Sequence, residues 1–370
     1  YPSKTSPGYA DSTDKEFFEY NAAGDVILHR GRHGLGTTYA YDNLGRITVK
    51  TPSQIGSTYY RYDLFGNLTE ARSGWSTGPG YSFGYDGLGR QTSVVNTMSG
   101  AAQQLTYEYD VAGRRSALVH PDGQRFTYAY DALGRNTGIS GDVAGSLMQN
   151  SFTAKGELSQ RTHGANAFRS VFEHDQAGRL SGLDTTRFGH SYDSAKTFGY
   201  NPVGQVVSET NSNPLYAWQA GPDNTIPYAT NGLNQYTSVA GRSYQHDTAG
   251  NLTYDGATSY IYDQENRLKS VSGQNTATLA YDPLGRLWEV QDGSGNRRRM
   301  LYDGDALIAE YDGANQMIAR YVHGVSAEDD PFVSFAGSST ALGNARFLNR
   351  DRLGSTILQA DASGGSLQAY

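Results

Sequence analysis

The sequence predicts an all-β repeat protein whose β-hairpins pair edge to edge into one long antiparallel ribbon. Three observations carry that expectation. A Tyr-Asp-turn-Gly unit recurs at a nearly constant interval; aromatic residues alternate with period two ahead of each turn; and no segment sustains a 3.6-residue apolar period between helix caps.

The clearest copies of the unit are Tyr41-Asp42 with Gly45-Arg46, Tyr85-Asp86 with Gly89-Arg90, Tyr109-Asp110 with Gly113-Arg114, Tyr130-Asp131 with Gly134-Arg135, and Tyr281-Asp282 with Gly285-Arg286. Tyr62-Asp63 with Gly66-Asn67 departs by one residue. Looser copies are Tyr20-Asn21 with Gly24, His174-Asp175 with Gly178-Arg179, Tyr200-Asn201 with Gly204, His246-Asp247 with Gly250-Asn251, and Tyr262-Asp263 with Asn266-Arg267. In the first half the tyrosines at 20, 41, 62, 85, 109 and 130 step by 21, 21, 23, 24 and 21 residues. A fixed period of roughly 20–50 residues signals an array.

Within one repeat the residues prescribe a hairpin. Phe126, Tyr128 and Tyr130 alternate along a strand and share a face. Asp131 opens the turn, since its carboxylate can accept nearby backbone N–H groups, and Gly134 supplies the positive φ of a type I turn with a glycine bulge. Arg135 begins the return strand. The opposite turn is Pro121-Asp122-Gly123. Two turns in about 21 residues leave strands of roughly 6–8, and a lone hairpin is marginal in water, so successive hairpins must pair.

The rhythm weakens at about 138–169, where Phe152 to Glu157 is a degenerate copy. It weakens again at about 207–245, an insertion with Pro214, Trp218, Pro222 and Pro227. From Tyr302 the tyrosines at 302, 311 and 321 come 9–10 residues apart, which predicts tighter hairpins. The expected division is therefore 1–280 and 281–370. About 28 strands at 4.8 Å spacing give a ribbon of roughly 130 Å.

Composition bounds the function. Gly is 45 and Tyr 28 of 370 residues, with hydrophobic residues at 37%. Tyr is thus expected to bury its ring and keep its hydroxyl hydrogen-bonded. Cysteine is absent, which excludes disulfides and thiolate metal sites. The net charge of −7, with Arg297-Arg298-Arg299 as the single cationic cluster, argues against a nucleic-acid partner. No apolar stretch reaches the roughly 20 residues that span a bilayer. The start at Tyr1 reads as a piece excised from a longer polypeptide.

Candidate sites reduce to bland readings. The repeated aspartates stand one per turn, whereas a calcium loop gathers several oxygen ligands in one segment. His29 and His33 are spaced for zinc only on a helix, and the glycines around them predict strand and turn. Gly74-Trp75-Ser76-Thr77-Gly78 has the spacing of a nucleophile elbow, but Pro79-Gly80 follows where a helix must begin. The repeated arginines, including Arg179, are expected to stack on tyrosines or bridge turn aspartates. No catalytic residue, cofactor or metal is assigned.

These motifs resemble the RHS, or YD-repeat, family over roughly residues 15 to 370. Tyr281 through Asp305 and Arg320 to Gly324 look like the entry to an RHS-associated core, with Asp329-Asp330-Pro331 and Asp351-Arg352-Leu353-Gly354 in the same pattern. The resemblance implies a ribbon wound into a hollow shell, as in bacterial polymorphic toxins, the C component of insecticidal toxin complexes and the animal teneurins. In the toxins an aspartate-dependent cleavage at the end of the core frees a C-terminal toxin. The chain stops at Tyr370, ahead of that end, so no residue here takes the cleavage role. The expected function is a non-enzymatic wall of a secreted or cell-surface bacterial protein. Its implied partners are the cargo or toxin domain of the same parent chain and a secretion or delivery apparatus. The alternative is an adhesive module binding a glycan or protein through exposed tyrosines; a β-helical carbohydrate-active enzyme lacks a localised acid pair.

Overall fold

In the computed structural model the described residues are 15–32, 34–164, 167–186, 191–216, 221, 225–325, 331–351 and 353–369. His33, Trp218, Pro222, Asp329, Asp330, Arg352 and Tyr370 lie outside them. Among the described residues there are 34 strands and two short 3-10 turns, Pro214–Tyr216 and Leu342–Asn344, with no α-helix. Every strand pairing is antiparallel and joins neighbours in sequence, as in Gly36–Tyr41 with Ile47–Pro52 and Arg125–Tyr130 with Asn136–Gly141. The fold is all-β and built of consecutive hairpins.

The chain divides into two compact units, each made of an early and a late segment. The first comprises Tyr1–Gln104 and Pro222–Met300. Its early segment runs from Phe17–Tyr20 to Gln91–Asn96, and its late segment includes Ser259–Tyr262, Ala277–Tyr281 and Leu287–Asp292. The insertion forms a small three-stranded sheet, Tyr228–Thr230, Tyr236–Val239 and Arg242–Ser243. The second unit comprises Leu105–Gly221 and Leu301–Tyr370, and from Ala306–Asp312 its late strands alternate with short turns.

Burial corrects the expectation that Tyr is the main interior residue. Phe126, Phe168, Phe335, Phe347, Leu105, Ile139, Leu147, Leu301 and Ile308 form the deepest core of the second unit, joined by Tyr107 and Tyr128. The repeat tyrosines Tyr41, Tyr62, Tyr85, Tyr130 and Tyr281 are half-buried. Each of them stands beside a register shift. Pairing runs Ala40↔Val49 and then Tyr41↔Ile47, leaving Thr48 as an extra residue on the return strand. The same shift falls at Arg61/Tyr62, Gly84/Tyr85, Ala129/Tyr130 and Ala280/Tyr281. The extra residue falls on the return strand, so Tyr130 stays on the face of Phe126 and Tyr128 and is less covered because it stands at the turn end of the strand.

Candidate functional site

Each motif aspartate closes its own turn. Asp131 Oδ1 accepts the backbone N–H groups of Leu133 and Arg135, at 2.9 and 3.0 Å, while Oδ2 accepts Arg135 Nε at 2.7 Å. The Arg135 guanidinium and those backbone donors hold the Asp131 carboxyl below the usual carboxylate range. Asp42, Asp86, Asp110, Asp175, Asp263 and Asp282 repeat the arrangement with Arg46, Arg90, Arg114, Arg179, Arg267 and Arg286. The turn keeps its polarity matched when residues change. Asp63 takes Asn67 Nδ2 as donor, whereas Asn21 and Asn201 donate Nδ2 to Asp25 and Gln205.

The backbone of the turn is closed by Gly134 N–H donating to Asp131 O and by Asp131 N–H donating to Arg135 O. This requires a left-handed residue: Gly134 has φ +82°, and where glycine is missing Asn234, Asn266 and Asn315 take φ 59–61°. A Cβ at Gly134 would meet Arg114 only at ordinary contact distance, so the obstacle is the backbone conformation rather than space. Gly134→Val is therefore expected to cost about 1–3 kcal/mol, and Gly134→Asn clearly less. Equal thermal denaturation of the two variants would refute the conformational explanation.

Repeats are tied to one another by the same residues. The Arg46 guanidinium lies 4.7 Å over the Tyr62 ring, Arg114 4.6 Å over Tyr130, Arg135 4.4 Å over Phe152, and Arg179 4.6 Å over Tyr200. The tyrosine hydroxyls donate back to the preceding hairpin: Tyr41 to Val26 O at 2.7 Å, Tyr85 to Leu68 O at 2.8 Å, and Tyr130 to Arg115 O at 2.8 Å. The ring face and hydroxyl of Tyr130 are thus both engaged inside the wall. Exposed tyrosine platforms for a sugar would have to come from elsewhere.

Within each unit a second set of contacts joins the early and late segments. In the first, Gln264 Oε1 accepts Ser53 Oγ and Gln54 N–H, while Nε2 donates to Gly36 O and Thr37 Oγ1. Lys50 pairs with Glu265. Tyr81 Oη donates to Asp282 Oδ2 at 3.0 Å under the Arg286 guanidinium, and burial raises the Tyr81 pKa strongly. In the second unit Asp303 accepts Tyr107 Oη at 2.9 Å and the Arg115 guanidinium. Arg320, fully buried, is anchored on Asp122 and lies 5.9 Å from the Phe126 ring. A cleft of about 460 Å³ is lined by Arg115, His120, Tyr128, Asp303 and His323. Its Arg115 and Asp303 are committed to each other.

Other candidates fall as follows. His29 stacks on Phe18 at 4.5 Å in the strand Val26–Arg30. Ser76 occupies a turn between the strands Leu68–Ser73 and Gly80–Tyr85. Arg297 and Arg299 both pair with Glu289. Among the described residues no group of three His, Asp or Glu side chains could hold a metal, and no helix is long and apolar enough to cross a membrane. The motif reading missed the contacts made by Gln264, Asp303, Arg320 and Asp122. The local pattern carries no signal of them: the Asp282 turn, which keeps the full motif, meets Tyr81 just as the altered Asp263 turn meets Gly36 through Gln264.

Rows of hairpins clamped in this way are the architecture of a YD-repeat fold. The chain belongs to the RHS/YD-repeat family: the teneurin YD-shell family model matches residues 142–322, and the RHS-repeat model matches 20–55 and 85–125. Among curated relatives, the tRNA3(Ser)-specific nuclease WapA of Bacillus spizizenii is 28% identical over 192 residues, 46% of this chain and 8% of its own length. The tRNA nuclease WapA of Bacillus subtilis is 28% identical over 150 residues, 35% of this chain and 6% of its own. Among solved structures, TcdB2-TccC3 superposes with a TM-score of 0.56 at 14% identity, covering 96% of this chain and 25% of that one. A Photorhabdus luminescens Tc holotoxin pore gives 0.56 at 15% identity, covering 97% and 24%. The structural likeness is one of fold, and the chain spans only a small part of these relatives.

Proposed function

We propose that residues 1–370 form part of a non-enzymatic wall in a larger, secreted bacterial RHS-type protein, and that this wall encloses and shields a C-terminal toxin or other cargo polypeptide. The observation that carries the reading is the lateral tie: arginine, tyrosine and backbone carbonyl lock each hairpin to the next, which suits a barrier better than a site of reaction. The family membership and the shell fold of the solved neighbours support a shell-type role. The toxic activity named for the curated relatives is theirs; here it motivates a toxin as the cargo. In this reading residues 1–280 are the YD-repeat wall and 281–370 the first part of the RHS-associated core.

The test is occlusion. In the longer parent the cargo should resist added protease, and Tyr128→Pro should expose it. Tyr128 pairs with Ile139 in the middle of its strand, and proline there removes a ladder donor. Cargo digested in the intact parent as fast as free cargo would sink the enclosure reading.

A further inference from the structure

Arg161 stands apart in how its charge is met. Arg114, Arg115, Arg125, Arg135, Arg179 and Arg320 of the second unit each pair with a carboxylate. Arg161 is half-buried in the strand Leu158–His163, and among the described residues no carboxylate pairs with it. Its one side-chain hydrogen bond to them is Nε donating to Asn150 Oδ1 at 3.0 Å. Asn150 Nδ2 donates in turn to Asn136 O at 3.1 Å, which fixes the amide and leaves both Arg161 Nη groups for another acceptor. Burial holds the Arg161 pKa below the ordinary arginine value. A guanidinium nevertheless stays charged at neutral pH, and a desolvated cation calls for an anion.

The residue lines a cleft of about 550 Å³ that lies wholly within the second unit. Early strands Leu158–His163, Phe168–His174 and Leu180–Thr186 form one side, and late strand Ala345–Arg350 the other. Register gathers polar groups there. Arg161 pairs with Ser170 across the strands, so the two share a face. Asn349 follows the buried Phe347 by two residues and shares its face. Ser170 is 5% exposed and Asn349 4%, yet among the described residues neither side chain has a hydrogen-bond partner. Asp351 also lines the cleft, but its Oδ1 is committed to the N–H groups of Leu353 and Ser355 at 2.9 Å. The remaining surface is largely apolar, with Phe172, Leu183 and Phe332. A cation, two buried polar groups without partners and an apolar wall match an acid that has a hydrocarbon part.

We propose that this cleft binds a carboxylate carried on a short apolar body. Arg161 Nη1 and Nη2 are its bidentate donors, Ser170 and Asn349 complete the hydrogen bonding, and Phe172, Leu183 and Phe332 cover the body. Two sources share that chemistry: a glutamate side chain of a polypeptide and a free short aliphatic acid. The inference stands independently of the wall reading above.

The test uses the 370-residue chain with its 8 histidines labelled in the imidazole ring, and His163→Phe assigns the His163 signal beside Arg161. N-acetylglutamate N-methylamide and butyrate are titrated at neutral pH and constant ionic strength, with N-acetylglutamine N-methylamide as the uncharged counterpart. The acids should move the His163 signal saturably, and the glutamine compound should bind at least about tenfold more weakly. Tighter binding of the glutamate compound assigns the polypeptide source, and tighter binding of butyrate the free acid. Arg161→Gln should weaken both acids at least about tenfold. Asn349→Ala leaves the arginine in place and should weaken them by a similar factor, with exchange protection in Phe168–His174 retained. Shifts that never saturate, equal affinity for the glutamate and glutamine compounds, or full affinity in a folded Arg161→Gln or Asn349→Ala variant would overturn the proposal.

Discussion

Lowering the pH from 7 to 5 is expected to cost the second unit about 2 kcal/mol through His163 alone. His163 is buried in an aromatic box, stacked at 4.1 Å on Phe168, with Phe332 at 6.2 Å and Phe347 edge-on at 6.3 Å. Its Nδ1 has no hydrogen-bond partner. Burial, reinforced by the positive Arg161, pushes its pKa down to about 3 from 6.5. The unfolded chain therefore binds the proton more readily, and stability present above pH 6.5 is lost as the pH falls toward 3. His163→Phe keeps the ring and removes the proton site. Hydrogen exchange in Leu158–His163 and Phe168–His174, corrected for intrinsic rates, should show the loss between pH 7 and 5 shrinking by about 2 kcal/mol in that variant. An unchanged pH dependence would show that His163 reaches solvent or a partner before it charges. His120 acts in the same direction, being buried and facing Arg320 and His323.

The second large effect is expected at Asp122. Arg320 is fully buried; its Nη2 holds Asp122, and its Nε and Nη1 have no partner. Asp122→Ala leaves that cation uncompensated and should cost about 3–5 kcal/mol. Arg320→Met should cost far less, since replacing a buried charge by a packed apolar side chain is often neutral. The double variant should therefore recover most of the loss. The measurement is again exchange protection, here in Met317–His323 and Arg125–Tyr130. A double variant as unstable as Asp122→Ala alone would mean that Asp122 matters for its turn and not for the buried arginine.

What was legible in the sequence was local. Tyr130, Asp131, Gly134 and Arg135 sit within six residues, so turn chemistry and strand alternation are enough to define the hairpin. The stacking of arginine on the next repeat was legible too, because the period of about 21 residues sets neighbours side by side. The pairing of early and late segments was not. Tyr81 meets Asp282, Arg115 meets Asp303 and Asp122 meets Arg320 across separations of 201, 188 and 198 residues. Nothing in a local pattern distinguishes Asp303 from the turn aspartates that touch only their own loop. The burial of Tyr was misjudged because composition does not show how much of the sheet covers a residue at the turn end of its strand, where Tyr130 stands.

The ties between repeats also have a direction. The hydroxyls of Tyr41, Tyr85, Tyr130, Tyr200 and Tyr281 reach carbonyls at Val26, Leu68, Arg115, Leu180 and Leu268, every one of them earlier in the chain. During synthesis, the tyrosine of a hairpin leaving the ribosome thus meets a carbonyl that has already emerged, whereas Tyr81, Arg115 and Asp122 wait for partners 201, 188 and 198 residues later. At about 5–20 residues per second, one 21-residue unit emerges in roughly 1–4 s, far longer than the microseconds a hairpin needs to form. The ribbon can grow as a zipper closed from its older end, with a single unpaired edge open at any moment.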